Sequence, residues 1–443
     1  MMLSQSEYGL VLSGGGAKGA FEMGVWKALR ECDYSIGAVI GTSVGAINAA
    51  MIAQNNFDIA MEFWSKITIN HVLNLNKTVT NNYVQRWSKE SFDVFRDGFL
   101  TLLFSDGFDI TPLRNNLNRL ISEEAIRKSS IHFGLVTVDL TSLKPKQLMI
   151  EDIPQGQLID YLLASAALPI FQKQEIDGKT YLDGGFFDNV PINFMLEQNF
   201  HQIISVEFPV LAIRKWVRNK NIKIITVNNS EFLGGTLNFN SKTIDHSIQL
   251  GYLDAMKTFG ALEGKYYYID TQKNNTIFKR FETQLGLTLS DTLKQQKLIE
   301  LLHNLKATDK NNILSGLEDL LKKTTFRNRP LALSLLEITA KSLGVPRLEK
   351  YSIDLFFQAI LKKLGALMEE NLTLLENPRI VMEFLLPANN NFRRYNFITF
   401  YIVFMSIPGD LSRDKMNAFL CKFTPDISLS MITLFYIHEM LKK

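Results

Sequence analysis

The sequence predicts an α/β domain with a mainly parallel sheet, followed by an all-α domain. Up to about residue 270 of 443, short apolar runs rich in β-branched residues alternate with helical patterns, which is typical of βαβ units. From about residue 285, apolar residues recur with a helical period instead. The charge balance differs as well, because residues 271–443 are net positive, with 24 Lys and Arg against 17 Asp and Glu. We therefore predict two domains, 1–270 and 271–443.

The predicted sheet comes from short apolar runs bounded by turn residues. Five of them are rich enough in β-branched or small apolar residues to be strands: 8–13, 37–41, 131–140, 202–208 and 222–227. Helical patterns follow the first two directly, from about residues 17 and 44. A strand followed at once by a helix is the repeating unit of a parallel sheet.

Composition excludes several classes of protein. Hydrophobic residues make up 46%, too many for a disordered chain, and the net charge of +3 is too small to indicate a nucleic-acid partner. The two cysteines, Cys32 and Cys421, form neither a disulfide framework nor a metal-binding spacing. No apolar run reaches the length of a membrane span, and no signal-peptide pattern is present. We expect a cytoplasmic protein; export by a route that needs no such signal stays open.

A glycine run, GGGAKG at residues 14–19, lies between the first predicted strand and helix. It has the spacing of a dinucleotide-binding loop, but the next strand ends without the acid that binds a ribose hydroxyl, and the sequence also lacks a Walker A lysine. Two interpretations stay open. One is a tight turn without chemistry. The other is an oxyanion hole, with N–H groups from Gly14, Gly15 and Gly16 and positive charge from Lys18.

A possible nucleophile follows in Gly41-Thr42-Ser43-Val44-Gly45, the G-x-S-x-G pattern of a nucleophile elbow. The two outer glycines tolerate the sharp turn that exposes a serine hydroxyl between a strand and a helix. Ser43 alone fits a helix N-cap equally well. A serine nucleophile needs a base, and the histidines of this region favour structural roles, since they begin strands or lie in polar stretches: His132, His201 and His246.

Asp183 is the stronger candidate for the base. It precedes Gly184 and Gly185, after a predicted hairpin turn at 177–178. Glycines beside an acid permit a close backbone approach, and partial burial raises a carboxyl pKa toward working pH. Taken alone, the Asp-Gly-Gly sequence is also typical of a simple turn aspartate.

Together, these motifs resemble the patatin-like phospholipase family. The glycine run is similar to the oxyanion loop of that family, GTSVG to its nucleophile elbow, and DGG to the segment with its catalytic aspartate. Two further stretches are similar to segments of the family, ASAALP at 164–169 and DNVP at 188–191. Residues 233–254 are similar to the end of bacterial members of the family. The resemblance covers about residues 7–270 and implies a three-layer α/β/α fold.

The resemblance also implies chemistry: a Ser–Asp dyad that hydrolyses acyl esters of lipids through an acyl-enzyme, without metal or cofactor. By position, Ser43 is the implied nucleophile and Asp183 its base. The implied oxyanion hole consists of Gly14, Gly15 and Gly16, with Lys18 where the family has Arg or Lys. The other motif glycines are Gly19, Gly41, Gly45, Gly184 and Gly185. The implied reaction is of the phospholipase A type; a soluble carboxylesterase or lysophospholipase, or a catalytically silent lipid- or partner-binding module, stay as alternatives.

A membrane phospholipid substrate implies peripheral membrane association. Two segments suit it, a phenylalanine-rich one at 92–108 and a basic one at 214–223 around Trp216. A helix that packs on the sheet and a solvated surface are the commoner explanations of such segments. The helical domain at 271–443 lies outside the resemblance. Its net charge of +7 allows membrane docking, an activator or regulatory partner, or a plain structural cap.

Overall fold

An eight-stranded sheet forms the centre of the first part of the chain. The computed structural model describes residues 7–74, 107–209, 212–218, 222–271, 276–284 and 331–370, with eight further residues between 426 and 437. The strands are β1 (Tyr8–Leu12), β2 (Ile36–Thr42), β3 (His132–Asp139), β4 (Lys144–Met149), β5 (Gln174–Ile176), β6 (Lys179–Asp183), β7 (Gln202–Glu207) and β8 (Lys223–Asn228). Their order is β5-β6-β3-β2-β1-β7-β8, with β4 also paired to β3.

The sheet is mainly parallel, as predicted. β3, β2, β1, β7 and β8 run parallel to one another, whereas the pairs β3–β4, β3–β6 and β5–β6 are antiparallel. From β1 the chain continues to β2 and β3 on one side and returns to β7 and β8 on the other. The carboxyl end of β1 is therefore next to a reversal of strand order, the place where open α/β sheets bind ligands.

Helices cover both faces of this sheet, which gives the predicted three-layer α/β/α arrangement. They are α1 (Gly19–Glu31), α2 (Val44–Ala53), α3 (Phe57–Lys66), α4 (Thr111–Leu120), α5 (Glu123–Arg127), α6 (Leu158–Ser165), α7 (Ile192–Glu197) and α8 (Ser241–Thr258). Successive residues of a strand point to opposite faces. On β2, Ile40 packs in a core with Phe194 of α7, while Gly41 lies against the start of α2.

Helix α1, which follows the glycine run, is held by close packing against α8. A Cβ on Gly24 would lie 2.0 Å from the Ile248 carbonyl oxygen, and a Cβ on Gly251 would lie 2.0 Å from that of Phe21. Two glycines thus let the backbones of these helices touch. The start of α1, and with it the end of the glycine run, is fixed by this contact.

Residues 262–443 form a second compact unit. Its described elements are β9 (Tyr268–Asp270), α9 (Thr276–Gln284), α10 (Leu331–Leu343), β10 (Lys350–Ser352) and α11 (Ile353–Glu370), around a core that includes Tyr267, Leu336 and Phe356. The division falls after Ala261 rather than at residue 270, because β9 pairs in parallel with β10. The described helices of this unit agree with the predicted helical C-terminal part, and the structure adds this two-stranded sheet to them. None of the described helices is both long and apolar enough to cross a bilayer.

Candidate active site

Ser43 lies at a strained turn between β2 and α2. Its φ of 57° and ψ of −128° are outside the regions that non-glycine residues ordinarily adopt, and such backbone costs about 1–3 kcal/mol. The turn is possible only because its neighbours lack side chains. A Cβ on Gly41 would lie 2.1 Å from the Gly45 carbonyl oxygen, and one on Gly45 would lie 2.5 Å from that of Leu12.

A second serine supports this turn. The Ser43 N–H donates to the Ser165 Oγ at 3.0 Å, and the Ser165 hydroxyl donates to the Val136 carbonyl at 2.7 Å. Ser43 stands at the N-cap position of α2, but its side chain makes no capping hydrogen bond. The backbone of Ser43 is therefore fixed while its hydroxyl is left for another role, which argues against the simple N-cap interpretation.

Asp183, at the end of β6, is buried beside Ser43. Its Oδ1 accepts the Gly185 N–H at 2.7 Å, as a turn aspartate does. Burial raises the pKa of the Asp183 carboxyl to about 6, against the opposing effects of the Ser43 hydroxyl and the Gly185 N–H. Its Oδ2 is buried and makes no hydrogen bond with any described residue. Hydrogen bonds between a nucleophile and its base are often long or poorly aligned before substrate binds.

The glycine run follows β1 and enters α1 through a short 3₁₀ turn, Gly16–Lys18. Gly16 has a φ of 58°, and a Cβ there would lie 2.2 Å from the Thr236 carbonyl oxygen. The same carbonyl accepts the Ala17 N–H at 2.8 Å. The loop after β8 thus holds this turn from outside.

The three predicted oxyanion donors are not equivalent. The Gly14 N–H already donates to the Asn189 Oδ1 at 3.1 Å, which corrects its prediction as a free donor. The N–H groups of Gly15 and Gly16 make no hydrogen bond within the described part of the chain, so they are available to an anion. Lys18 is 2% exposed, at the residue before α1, so its charge is held inside the protein.

An apolar pocket opens beside Ser43. Its volume is about 520 Å³ with the open mouth included. Apart from Gly16 and Ser43, every lining residue is Ala, Val, Ile, Leu, Phe or Trp, among them Ile47, Trp64, Leu113, Phe171 and Phe239. A pocket lined by apolar side chains and one serine suits a hydrocarbon chain attached to a reactive group.

Three buried polar side chains support the wall of this pocket. The Trp64 indole N–H donates to the Asn48 Oδ1 at 2.9 Å, and the Asn48 amide donates to Glu22 at 2.7 Å. Burial raises the pKa of Glu22 well above its usual range, against the effect of Asn48. The chain of bonds connects α3, α2 and α1. These residues form no local sequence motif, since their hydrogen bonds join three separate helices.

The other residues considered in the sequence lie away from the pocket lining. His132 and His201 are exposed, and His246 pairs with Glu231 at 3.2 Å. The described residues contain no group of three or more His, Cys, Asp or Glu able to hold a metal ion. Most of the phenylalanine-rich segment falls within 75–106, outside the described residues. In the basic segment, Trp216 is 94% exposed, while Arg214 pairs with Glu207 at 3.0 Å.

Comparison with known proteins finds a match in the part of the chain that contains these elements. Residues 10–196 match the sequence profile of a family described as Patatin-like phospholipase. The match covers less than half of the 443-residue chain. The glycine run, Ser43 and Asp183 all lie within the matched residues.

The relatives that match this chain are much longer proteins. Over 209 residues, 46% of this chain, it is 22% identical to patatin-like phospholipase domain-containing protein 7 of Mus musculus, covering 14% of that protein. Over 195 residues, 43% of this chain, it is 28% identical to neuropathy target esterase sws of Drosophila virilis, covering 11% of that protein. The chain thus spans about a seventh or less of the length of these relatives.

Solved structures match nearly the whole chain at low similarity. The crystal structure of VipD from Legionella pneumophila is matched over 98% of this chain and 90% of that chain. The identity is 15% and the TM-score is 0.39.

Proposed function

We propose that this protein is a lipid acyl hydrolase of the phospholipase A type, with Ser43 as nucleophile and Asp183 as its base. The observation that supports it most is the apolar pocket lined by Ser43, whose neighbour Asp183 carries a buried carboxyl. The match of residues 10–196 to a family described as Patatin-like phospholipase supports it as well.

The proposed reaction proceeds through an acyl-enzyme. Asp183 accepts the proton of Ser43 as the serine oxygen attacks the ester carbonyl carbon. The N–H groups of Gly15 and Gly16 stabilise the resulting oxyanion. Asp183 then returns the proton to the leaving alcohol, a lysophospholipid. Water, activated by Asp183, attacks the acyl-enzyme and releases the fatty acid and the free serine.

The decisive test of this proposal is the release of fatty acid from a bilayer. We would incubate the protein with vesicles of mixed phosphatidylcholine and phosphatidylglycerol that carry different acyl chains at the two glycerol positions, and identify products by mass spectrometry. We expect free fatty acid from at least one position. Hydrolysis of soluble short-chain esters with no release from vesicles would favour a soluble carboxylesterase. Vesicle binding without any hydrolysis would favour a silent lipid-binding module.

The pocket makes a separate prediction about chain length. Ile47 lies on α2 one turn after Ser43 and lines the pocket. The Ile47→Phe variant should lower hydrolysis of long-chain esters by at least about 10-fold, because the larger side chain fills space that an acyl chain needs. Hydrolysis of a butyrate ester provides the matched control, since it uses the same Ser43. Equal losses with both esters would contradict the assignment of this pocket to the acyl chain.

We also propose peripheral membrane association, with the second unit as the place for an activator or regulatory partner. An interfacial substrate requires contact with a bilayer. If the vesicle assay needs added cell lysate, the activator proposal gains support. Full activity of the purified protein, unchanged by lysate, would contradict it.

A further inference from the structure

Asn189 joins the segment that follows Asp183 to the glycine run. Its Oδ1 accepts the Gly14 N–H at 3.1 Å, and its Nδ2 donates to the Gly14 carbonyl at 3.3 Å. Asn189 is 5% exposed, so these bonds form away from bulk water. The N–H and the carbonyl of one residue belong to different peptide groups. A single amide therefore fixes both peptide planes that flank Gly14.

The bond to the Gly14 carbonyl has a consequence for the next residue. In a trans peptide, the carbonyl and the following N–H point in opposite directions. Because the Gly14 carbonyl points toward Asn189, the Gly15 N–H in the same plane points away from it. This N–H makes no hydrogen bond within the described residues. Asn189 thereby sets the direction of a donor that the proposed reaction needs.

Asn189 also lies where the other motifs meet. A Cβ on Gly14 would lie 2.6 Å from the Asn189 Oδ1 and 2.9 Å from the Ser43 Cβ. A Cβ on Gly185 would lie 3.1 Å from the Asn189 Oδ1 and from the Asp183 Oδ1. Asn189 is thus packed among the glycine run, the nucleophile turn and the Asp-Gly-Gly turn.

The backbone around Asn189 is itself anchored. Its N–H donates to the Ile213 carbonyl at 2.7 Å, and the Ile213 N–H donates to the Gly185 carbonyl at 3.0 Å. The Thr42 hydroxyl, next to Ser43, donates to the Asp188 carbonyl at 2.9 Å. The amide is therefore presented from a fixed support.

We propose that Asn189 is a positioning residue that aims the Gly15 N–H at the developing oxyanion and keeps the glycine run in register with Asp183. The proposal rests on the proposed hydrolase function. It assigns Asn189 no contact with the reacting atoms. Its action passes through Gly14 and requires both a donor and an acceptor on one side chain, which only an amide supplies at this length.

The chain offers a matched control in Asn193, at the start of α7. Its Nδ2 donates to the Trp216 carbonyl at 2.9 Å, and its Oδ1 accepts the Arg218 N–H at 3.0 Å. Asn193 is 7% exposed, similar to Asn189, but its two bonds go to the 212–218 segment rather than to the glycine run. Replacement of either asparagine by alanine removes two side chain–backbone bonds.

The first measurement compares Asn189→Ala with Asn193→Ala on the same ester. We expect Asn189→Ala to lower kcat by roughly 10²–10³-fold with KM within about threefold, since a misdirected oxyanion donor acts on the transition state. Asn193→Ala should keep kcat within about threefold of the wild type. Asn189→Asp, which keeps the shape and one acceptor but loses the donor, should behave like Asn189→Ala. Equal losses of kcat in the two alanine variants would overturn the proposal.

A second measurement does not depend on activity. Deuterium exchange of the peptide that contains the glycine run, followed by mass spectrometry, should be faster in Asn189→Ala and unchanged in Asn193→Ala. Unchanged exchange in Asn189→Ala would overturn the role of Asn189 even if its activity falls. A wild-type protein that hydrolyses no ester would contradict the proposed function instead, and exchange would still decide whether Asn189 holds the loop.

Discussion

Replacement of Ser43 by alanine should lower fatty-acid release by roughly 10⁴-fold or more while the fold is retained. The change removes the atom that forms the acyl-enzyme. It keeps the Ser43 N–H, whose bond to the Ser165 Oγ supports the turn. The unusual φ of 57° is as accessible to alanine as to serine, so we expect little change in stability. The measurement is initial rates on vesicles and on a short-chain ester, with circular dichroism to verify folding.

Ser205 provides the matched control for this variant. It is a fully buried serine on β7, a strand paired with β1, and its hydroxyl bonds to Glu207 and Thr226 rather than to any residue of the pocket. Ser205→Ala should retain most of the activity. Residual turnover of Ser43→Ala near the wild-type rate would contradict the assignment of Ser43 as nucleophile.

Asp183→Asn should abolish turnover and yet stabilise the protein at neutral pH. Burial raises the pKa of Asp183 to about 6 in the folded state, against about 3.9 for an unfolded chain. Above pH 6 the fold must hold a buried negative charge, and two pKa units correspond to at most about 3 kcal/mol. Asparagine carries no charge but still accepts the Gly185 N–H. We therefore expect a gain in unfolding free energy at pH 8 of up to about 3 kcal/mol.

The pH dependence of this effect has a definite sign. A carboxyl whose pKa is raised in the folded state makes its full favourable contribution to the free energy of unfolding below about pH 4. This contribution is lost as the pH rises to about 6. The advantage of Asp183→Asn should thus appear between pH 4 and 6 and stay constant above. Over the same interval, wild-type activity should rise with pH, because the base must be ionised. Denaturant unfolding and kcat/KM as a function of pH measure both.

Asp139→Asn is a control for which the expected change in stability has the opposite sign. Burial favours a higher pKa for this carboxyl, but hydrogen bonds from Ser142 and the charge of Lys179 outweigh burial and lower its pKa below the usual range. Asp139→Asn should therefore destabilise the protein at neutral pH while Asp183→Asn stabilises it. The same direction of change in both variants would contradict the assigned environments.

The sequence was sufficient to predict what depends on local patterns. Strands such as β1 and β2 are recognisable as apolar runs. The nucleophile turn is recognisable as G-x-S-x-G because neither outer glycine has room for a Cβ, Gly41 against Gly45 within the turn and Gly45 against Leu12 of β1. The parallel order of the central strands follows from βαβ connections. Asp183 was found because its own turn needs the glycines that follow it.

Residues that act across long separations could not be found in the same way. Ser165 supports Ser43 from 122 residues away, and Asn189 holds Gly14 from 175 residues away. Each lies in a stretch that resembles the family, but a side chain that bonds to a distant backbone group leaves no periodic signal. The unit boundary was misplaced for a similar reason. β9 has only three residues, and its partner β10 lies far along the chain.

Thr236 contacts Gly16 and Ala17, and this contact determines which fragment of the chain is suitable for expression. The family profile ends at residue 196, but β1 still pairs with β7, and α1 packs against α8. A fragment that ends at residue 196 would lack β7 and would therefore expose an edge of β1. It would also lack Thr236, which contacts Gly16 and Ala17 of the glycine run. The part of the chain that matches the family profile is thus shorter than the compact unit that contains it. The smallest fragment worth purifying extends to Ala261.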